Sequence, residues 1–181
     1  MKEKDKKSAS RFMSLILRHE PERIGIALDK NGWADTNELL VGLNRNGYDV
    51  GLKELKEIVA SNDKQRFKFN EDNTKIRANQ GHSVAVEVKM EELEPPVVLY
   101  HGTATRFLGA IKKGGLISKN RLHVHLSDDK ETALKVGARH GKSVILTINS
   151  HKMYEDGFKF YLSDNGVWLT DVVPVKYIWQ F

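Results

Sequence analysis

A chain of 181 residues with 40% hydrophobic content, three Trp and seven Phe is long enough for one ordinary domain or two small ones with real cores. The lack of cysteine excludes disulfides, thiolate zinc sites and a cysteine nucleophile; no apolar run approaches the ~20 residues of a membrane helix, and the polar start MKEKDKKSAS has no signal-peptide centre, so a soluble cytoplasmic protein is expected. The formal charge of +5 is uneven, with 16 basic against 13 acidic residues over 1–80, 1 against 4 over 81–96, and 12 against 7 over 97–181, a balance that favours polyanionic partners such as nucleic acid or nucleotides.

In chain order, Ser8 or Ser10 is expected to cap a first helix whose apolar residues Phe12, Leu15 and Ile16 fall at helical spacing and which ends near Pro21. Thr36 precedes a second helix carrying Leu39, Leu40 and Leu43, with Gly47 as its stop. Leu52, Leu55, Ile58 and Val59 line a third, which closes around Ser61-Asn62. RFKF, the turn-forming NEDNT and KIRA then predict two paired strands. Three helices followed by a hairpin is the order of a winged helix.

The acidic stretch VEVKMEELEPP ends in a Pro-Pro pair that stiffens the chain, so a boundary is placed there: a lobe over 1–85, a linker over 86–96 and a second lobe over 97–181. In the second lobe VVLYHGT reads as a buried strand, TRFLGAIKKGG as a helix stopped by glycines, RLHVHLS as a strand, DKETALKVGARHG as a helix and SVILTI as a strand. The end, from FKFYLS through GVWLT to YIWQF, is strand-rich, giving a mixed α/β lobe and an α+β protein overall. GARHGKS imitates a phosphate-binding loop but has three residues, not four, between its first glycine and Gly-Lys, and its helix precedes its strand. It is read as a helix cap, with Arg139 and His140 on the surface.

Three arginines stand at informative places. Arg18, with His19, closes the first helix; Arg66 opens the first hairpin strand, sharing a face with Lys68 opposite Phe67 and Phe69; Arg121 opens RLHVHLS, where His123 and His125 would share its face. Guanidinium forks bind phosphate oxygens strongly and stay charged. Spacing alone leaves open whether they converge on one anion or form separate surface ion pairs. A metal held by His123 and His125 needs a third ligand from His82, His101 or a carboxylate, and none is expected.

LILRH at 15–19, NDKQRF at 62–67, IRANQGHS at 76–83, YHGT at 100–103 and RLHVHLS at 121–127 resemble, in order and spacing, the RNA 2′-phosphotransferase family, which removes a splice-junction 2′-phosphate using NAD. The resemblance extends through GARHGKSVILT and NGVWLT. It implies a winged-helix-like RNA lobe joined to an NAD lobe of the ADP-ribosyltransferase fold. Arg18, His19, Arg66 and Arg121 match the family's catalytic set, the first three from the RNA lobe, with the active site expected in the cleft between the lobes. His101 resembles the residue that holds the adenosine ribose, Gly102 is expected to bring backbone close to the nicotinamide amide, and Thr103, His125 and Ser127 are further NAD candidates. Gln80, Gly81, His82 and Ser83 match the family's QGHS, as an RNA-contacting loop or as a hinge.

The implied reaction has two steps: the RNA 2′-phosphate displaces nicotinamide from NAD, and the ribose 2″-hydroxyl then attacks phosphorus, freeing RNA and ADP-ribose 1″,2″-cyclic phosphate. The first nucleophile is already ionised, which agrees with the absence of any Glu after Glu155, where related transferases often carry a catalytic one. The partners expected are RNA bearing a 2′-phosphate and NAD, with no membrane, no metal and a monomeric chain. Two alternatives are a nucleic-acid terminal-phosphate ADP-ribosyltransferase that stops after step one and a winged-helix regulator with a nucleotide-sensing lobe.

Overall fold

In the computed structural model, which describes residues 2–62, 64–88 and 90–180, the first helix begins earlier than its serines suggest. Asp63, Lys89 and Phe181, which fall in stretches named above, lie outside the described residues. Helix α1 spans Glu3–Arg18 from an N-cap at Lys2, with Glu3 and Asp5 in its first turn, where carboxylates favour the helix dipole. Ser10 is not a cap; its Oγ accepts a bond from Asn62 Nδ2 at 3.1 Å. The buried stripe is Ala9, Met13, Ile16 and Leu17, so it is rotated from the expected one, and Phe12 stacks at 5.0 Å on Tyr48 at its margin.

The chain divides into two units, residues 1–89 and 90–181. In the first, β1 (Trp33–Asp35) leads into α2 (Thr36–Arg45), whose first N–H groups are capped by the Asp35 carboxylate at 2.8 and 3.0 Å. Helix α3 (Leu52–Ala60) starts from Gly51, whose N–H donates to Glu54. The hairpin strands are β2 (Phe67–Phe69) and β3 (Lys75–Ala78). The hairpin is as expected, but β1 pairs with the other side of β3, giving a three-stranded antiparallel sheet in the order β1-β3-β2. Leu39, Leu43, Leu55, Ile58, Phe67 and Ile76 join the α1 stripe in one core. Burial at about 25 cal/mol per Å² of apolar surface is what holds such short elements, since none is a stable helix or sheet alone.

The second unit opens with β4 (Glu91–Glu92) and β5 (Leu99–Ala104), followed by α4 (Leu108–Gly114), β6 (Leu116–Ile117), β7 (Val124–Leu126) and α5 (Lys130–Gly137). Then come β8 (Ser143–Ile148), α6 (Ser150–Glu155), β9 (Tyr161–Leu162), β10 (Trp168–Thr170), β11 (Val172–Val173) and β12 (Ile178–Gln180). Helix α6 has no sequence signal because six residues are too few to show a period. Two antiparallel sheets, β12-β8-β5 and β4-β9-β10-β7, enclose a core around Leu99, Leu126, Leu146, Ile148, Met153, Phe160 and Trp168. The whole is mixed α/β, with six helices among the described residues. The acidic stretch is held at each end: Glu87 N–H donates to the Lys30 carbonyl, and Glu91–Glu92 pairs with β9.

Around GARHGKS, α5 passes through a 3-10 turn at Ala138–His140 and Gly141 (φ 129°) into β8. A helix runs into a strand, the reverse of a phosphate-binding loop. RLHVHLS is strand only from Val124. Arg121 lies in a preceding turn, its N–H donating to the Ser118 carbonyl at 3.0 Å beside Lys119 in the left-handed region (φ 50°). The alternation inferred for Arg121, His123 and His125 therefore fails, because the local turn chemistry overrides it.

Candidate active site

In the first unit the QGHS stretch folds back over the end of α1. The N–H groups of Ser83 and Val84 both donate to the Arg18 carbonyl, at 2.9 and 3.4 Å, satisfying an orphan acceptor of the helix terminus. Ser83 Oγ is 2.9 Å from His19 Nδ1. Gly81 stands in the left-handed region (φ 89°), and a Cβ there would lie 3.6 Å from Arg18 Nη1. Arg18, His19, Gly81, His82 and Ser83 are thus one cluster.

His82 is the cluster's buried member, 2% exposed, with Nε2 directed at the α-carbon side of Gly32 and without a hydrogen-bond partner among the described residues. Burial, with Arg18, Arg77 and His19 adding positive charge, pushes its imidazole down to about 4. It is neutral at pH 7 and adds no like charge beneath the guanidinium.

Arg66 precedes β2 instead of opening it. Its carbonyl accepts the Asn79 N–H at 2.9 Å, and its Nη1 donates to Asn62 Oδ1 at 3.1 Å. The run 79–83 is therefore tied to Arg66 at one end and to Arg18 and His19 at the other. Lys68 pairs in register with Arg77, whose guanidinium carbon lies 4.6 Å from the Trp33 ring centroid.

In the second unit β5 and β7 meet at a single bridge, Tyr100 with Ser127, whose N–H groups exchange bonds of 2.7 and 2.9 Å. Beyond it the His101 ring spans the split, Nδ1–H donating to the His125 carbonyl at 2.9 Å. A carbonyl only accepts, so the His101 proton sits on Nδ1 and Nε2 keeps its lone pair. Burial holds this imidazole below its usual range; Arg121 and His140 act the same way against the bond to His125. Tyr100 turns both main-chain groups toward β7, and by alternation those of Gly102 face the same edge past the bridge.

Gly102 has a second reason to be glycine. A Cβ there would overlap the Ala133 carbonyl oxygen of α5, and one on Gly137 would meet Thr103 N and O at 2.9 and 2.7 Å. Helix α5 rests directly on the backbone of β5, with Thr103 buried beneath it. Ser127 Oγ accepts the Asp129 N–H at 3.1 Å, at the entry to α5.

Arg121 Nη1 is 3.1 Å from His125 Nδ1. Burial and then the Arg139 guanidinium lower its proton affinity, though an arginine stays charged in this range. Arg139 and His140 are exposed in the 3-10 turn at the end of α5, as expected of helix-end surface residues, and their charge reaches Arg121 and His101. His123 turns elsewhere, toward Asp171 Oδ1 at 3.8 Å and the Tyr161 ring at 5.8 Å. Each unit thus presents arginine and imidazole groups held by named partners, a donor set suited to phosphate.

Comparison with known proteins agrees. The model of the family described as RNA 2′-phosphotransferase, Tpt1 / KptA family, matches residues 4–172. A probable RNA 2′-phosphotransferase of Flavobacterium johnsoniae is 57% identical over 178 residues, covering 98% of this chain and 98% of that protein. Proteins of the same name from Fusobacterium nucleatum and Acaryochloris marina are 53% and 52% identical, with 93% and 94% of this chain covered and 94% of each relative. A match over almost the full length, spanning the stretches that form both clusters, places the chain in the RNA 2′-phosphotransferase family.

Proposed function

We propose that the protein moves the 2′-phosphate of an RNA to NAD, with the first unit as a winged-helix-like RNA lobe and the second as an ADP-ribosyltransferase-like NAD lobe. A phosphate oxygen forms a bond to the nicotinamide-bearing carbon as the bond to nicotinamide breaks. The ribose 2″-hydroxyl then attacks phosphorus, loses its proton, and the RNA 2′-oxygen leaves and takes one up. The products are nicotinamide, ADP-ribose 1″,2″-cyclic phosphate and RNA with a 2′-hydroxyl.

The observation that carries this reading is the clasp of residues 81–84 on the end of α1, which holds Arg18 and His19 side by side in a chain of this family. Arg18, Arg66 and Arg121 are proposed to act on one phosphate, orienting it in the first step and stabilising charge on phosphorus in the second. His19 bonds the same group or moves the proton. The β5–β7 split fits NAD in its donor set: His101 Nε2 is a free lone pair for a ribose hydroxyl, the main-chain edge of Gly102 suits a carboxamide, and Thr103, His125 and Ser127 line the same two strands. None of these steps asks for a metal.

The test is incubation of the protein with NAD, EDTA and a short RNA carrying an internal 2′-phosphate. Nicotinamide, cyclic phosphate and dephosphorylated RNA are expected in equal amounts, and Arg18→Ala or Arg121→Ala should lose about 100-fold or more in rate. ADP-ribosylated RNA without cyclic phosphate would indicate a terminal-phosphate ADP-ribosyltransferase instead. Tight duplex binding with no NAD consumed would indicate a regulator.

A further inference from the structure

Arg121, like Arg66, sits outside regular structure, in the turn after Ser118, on a side chain with four rotatable bonds. His125, by contrast, is fixed. It lies in β7 opposite Leu169 of β10, between the buried Val124 and Leu126, and its carbonyl is held by His101 Nδ1–H. We propose that His125 is a positioning residue for Arg121: its neutral ring accepts a guanidinium N–H at Nδ1 and so orients the remaining N–H groups for phosphate.

The protonation pattern follows from donor chemistry. Arginine has five donors and no acceptor, so at 3.1 Å Nδ1 must be the acceptor and the ring proton must lie on Nε2. A protonated ring would donate at both nitrogens and push the guanidinium away. The Arg139 guanidinium, near enough to lower the proton affinity of Arg121, already supplies one like charge, so a neutral anchor is the arrangement that holds Arg121 in place. A side chain shifted by 1 Å at a reacting phosphate loses on the order of 100-fold in rate. The inference rests on the phosphotransfer reading and sharpens it, since it takes Nδ1 of His125 away from the dinucleotide.

The test combines catalysis with a measurement that needs no turnover. His125→Leu should lower kcat by about 10- to 100-fold with KM for NAD within about twofold of the parent, and should accumulate ADP-ribosylated RNA. His125→Asn, whose Oδ1 stands near the position of Nδ1, should recover most of the loss. In an Arg121→Ala background His125→Leu should cost nothing further, because two residues acting as one unit are not additive. A KM-dominated loss, or a loss that persists in that background, would show that His125 touches the dinucleotide and would overturn the proposal. Nitrogen-15 NMR of the free protein at pH 7.5 should show His125 as the Nε2–H tautomer. The Nδ1–H or doubly protonated form would overturn it even if the protein consumed no NAD, an outcome that refutes the reaction alone.

Discussion

Acidification from pH 7 to pH 5 should weaken the first unit through His82. The imidazole titrates near 6.5 in an unfolded chain and near 4 here, buried under the positive charge of Arg18, Arg77 and His19. Between these values the unfolded state binds the proton and the folded state does not, so stability falls as pH drops. The contribution present above pH 6.5 is lost progressively down to pH 4, amounting to about 3 kcal/mol at full protonation and about 2 kcal/mol by pH 5. Many small domains hold only ~5–15 kcal/mol in all, so the effect is large. Urea unfolding of the parent and of His82→Leu at pH 7 and pH 5, with hydrogen exchange of the α1 and β3 amides to localise the change, isolates it. Other titrating groups cancel in the difference. The parent should lose about 2 kcal/mol more than the variant; equal losses in both would refute the buried neutral imidazole.

Two further outcomes follow from the packing. Gly102→Ala should destabilise the second unit by about 3 kcal/mol or more, because its Cβ would have to displace the backbone of α5 at Ala133; calorimetry should show a lowered Tm with or without NAD present. Ser83→Ala should leave Tm within about 2 °C of the parent, since Ser83 is exposed and its main-chain bonds to Arg18 survive, yet should reduce turnover by about tenfold and alter the pH profile by releasing His19 Nδ1.

Much was legible in the residues alone. Leu39 and Leu43, Leu55 and Ile58, and the FKF–NEDNT–KIR run foretell α2, α3 and the hairpin because helical period, caps and turn residues act within a few positions of one another. The motifs LILRH, QGHS, YHGT and RLHVHLS led to the right family. Ser8 and Ser10 look like caps, yet α1 starts before them, because that turn already has good helix formers and acidic residues at the dipole's positive end. Strand β1 is not legible locally, because three residues carry no period and its partners in β3 lie some 40 positions away.

Composition, periodicity and ordered motifs by themselves determined that this chain builds mixed α/β units from short elements, needs no disulfide, and belongs with the RNA 2′-phosphotransferases. Tertiary structure alone decided which partner each functional side chain has: Ser83 on His19 across 64 positions, Gly102 under Ala133, and His101 on the His125 carbonyl. Local physics specifies which face of an element is apolar, whereas the neighbour that covers that face is chosen by the packing of the whole unit.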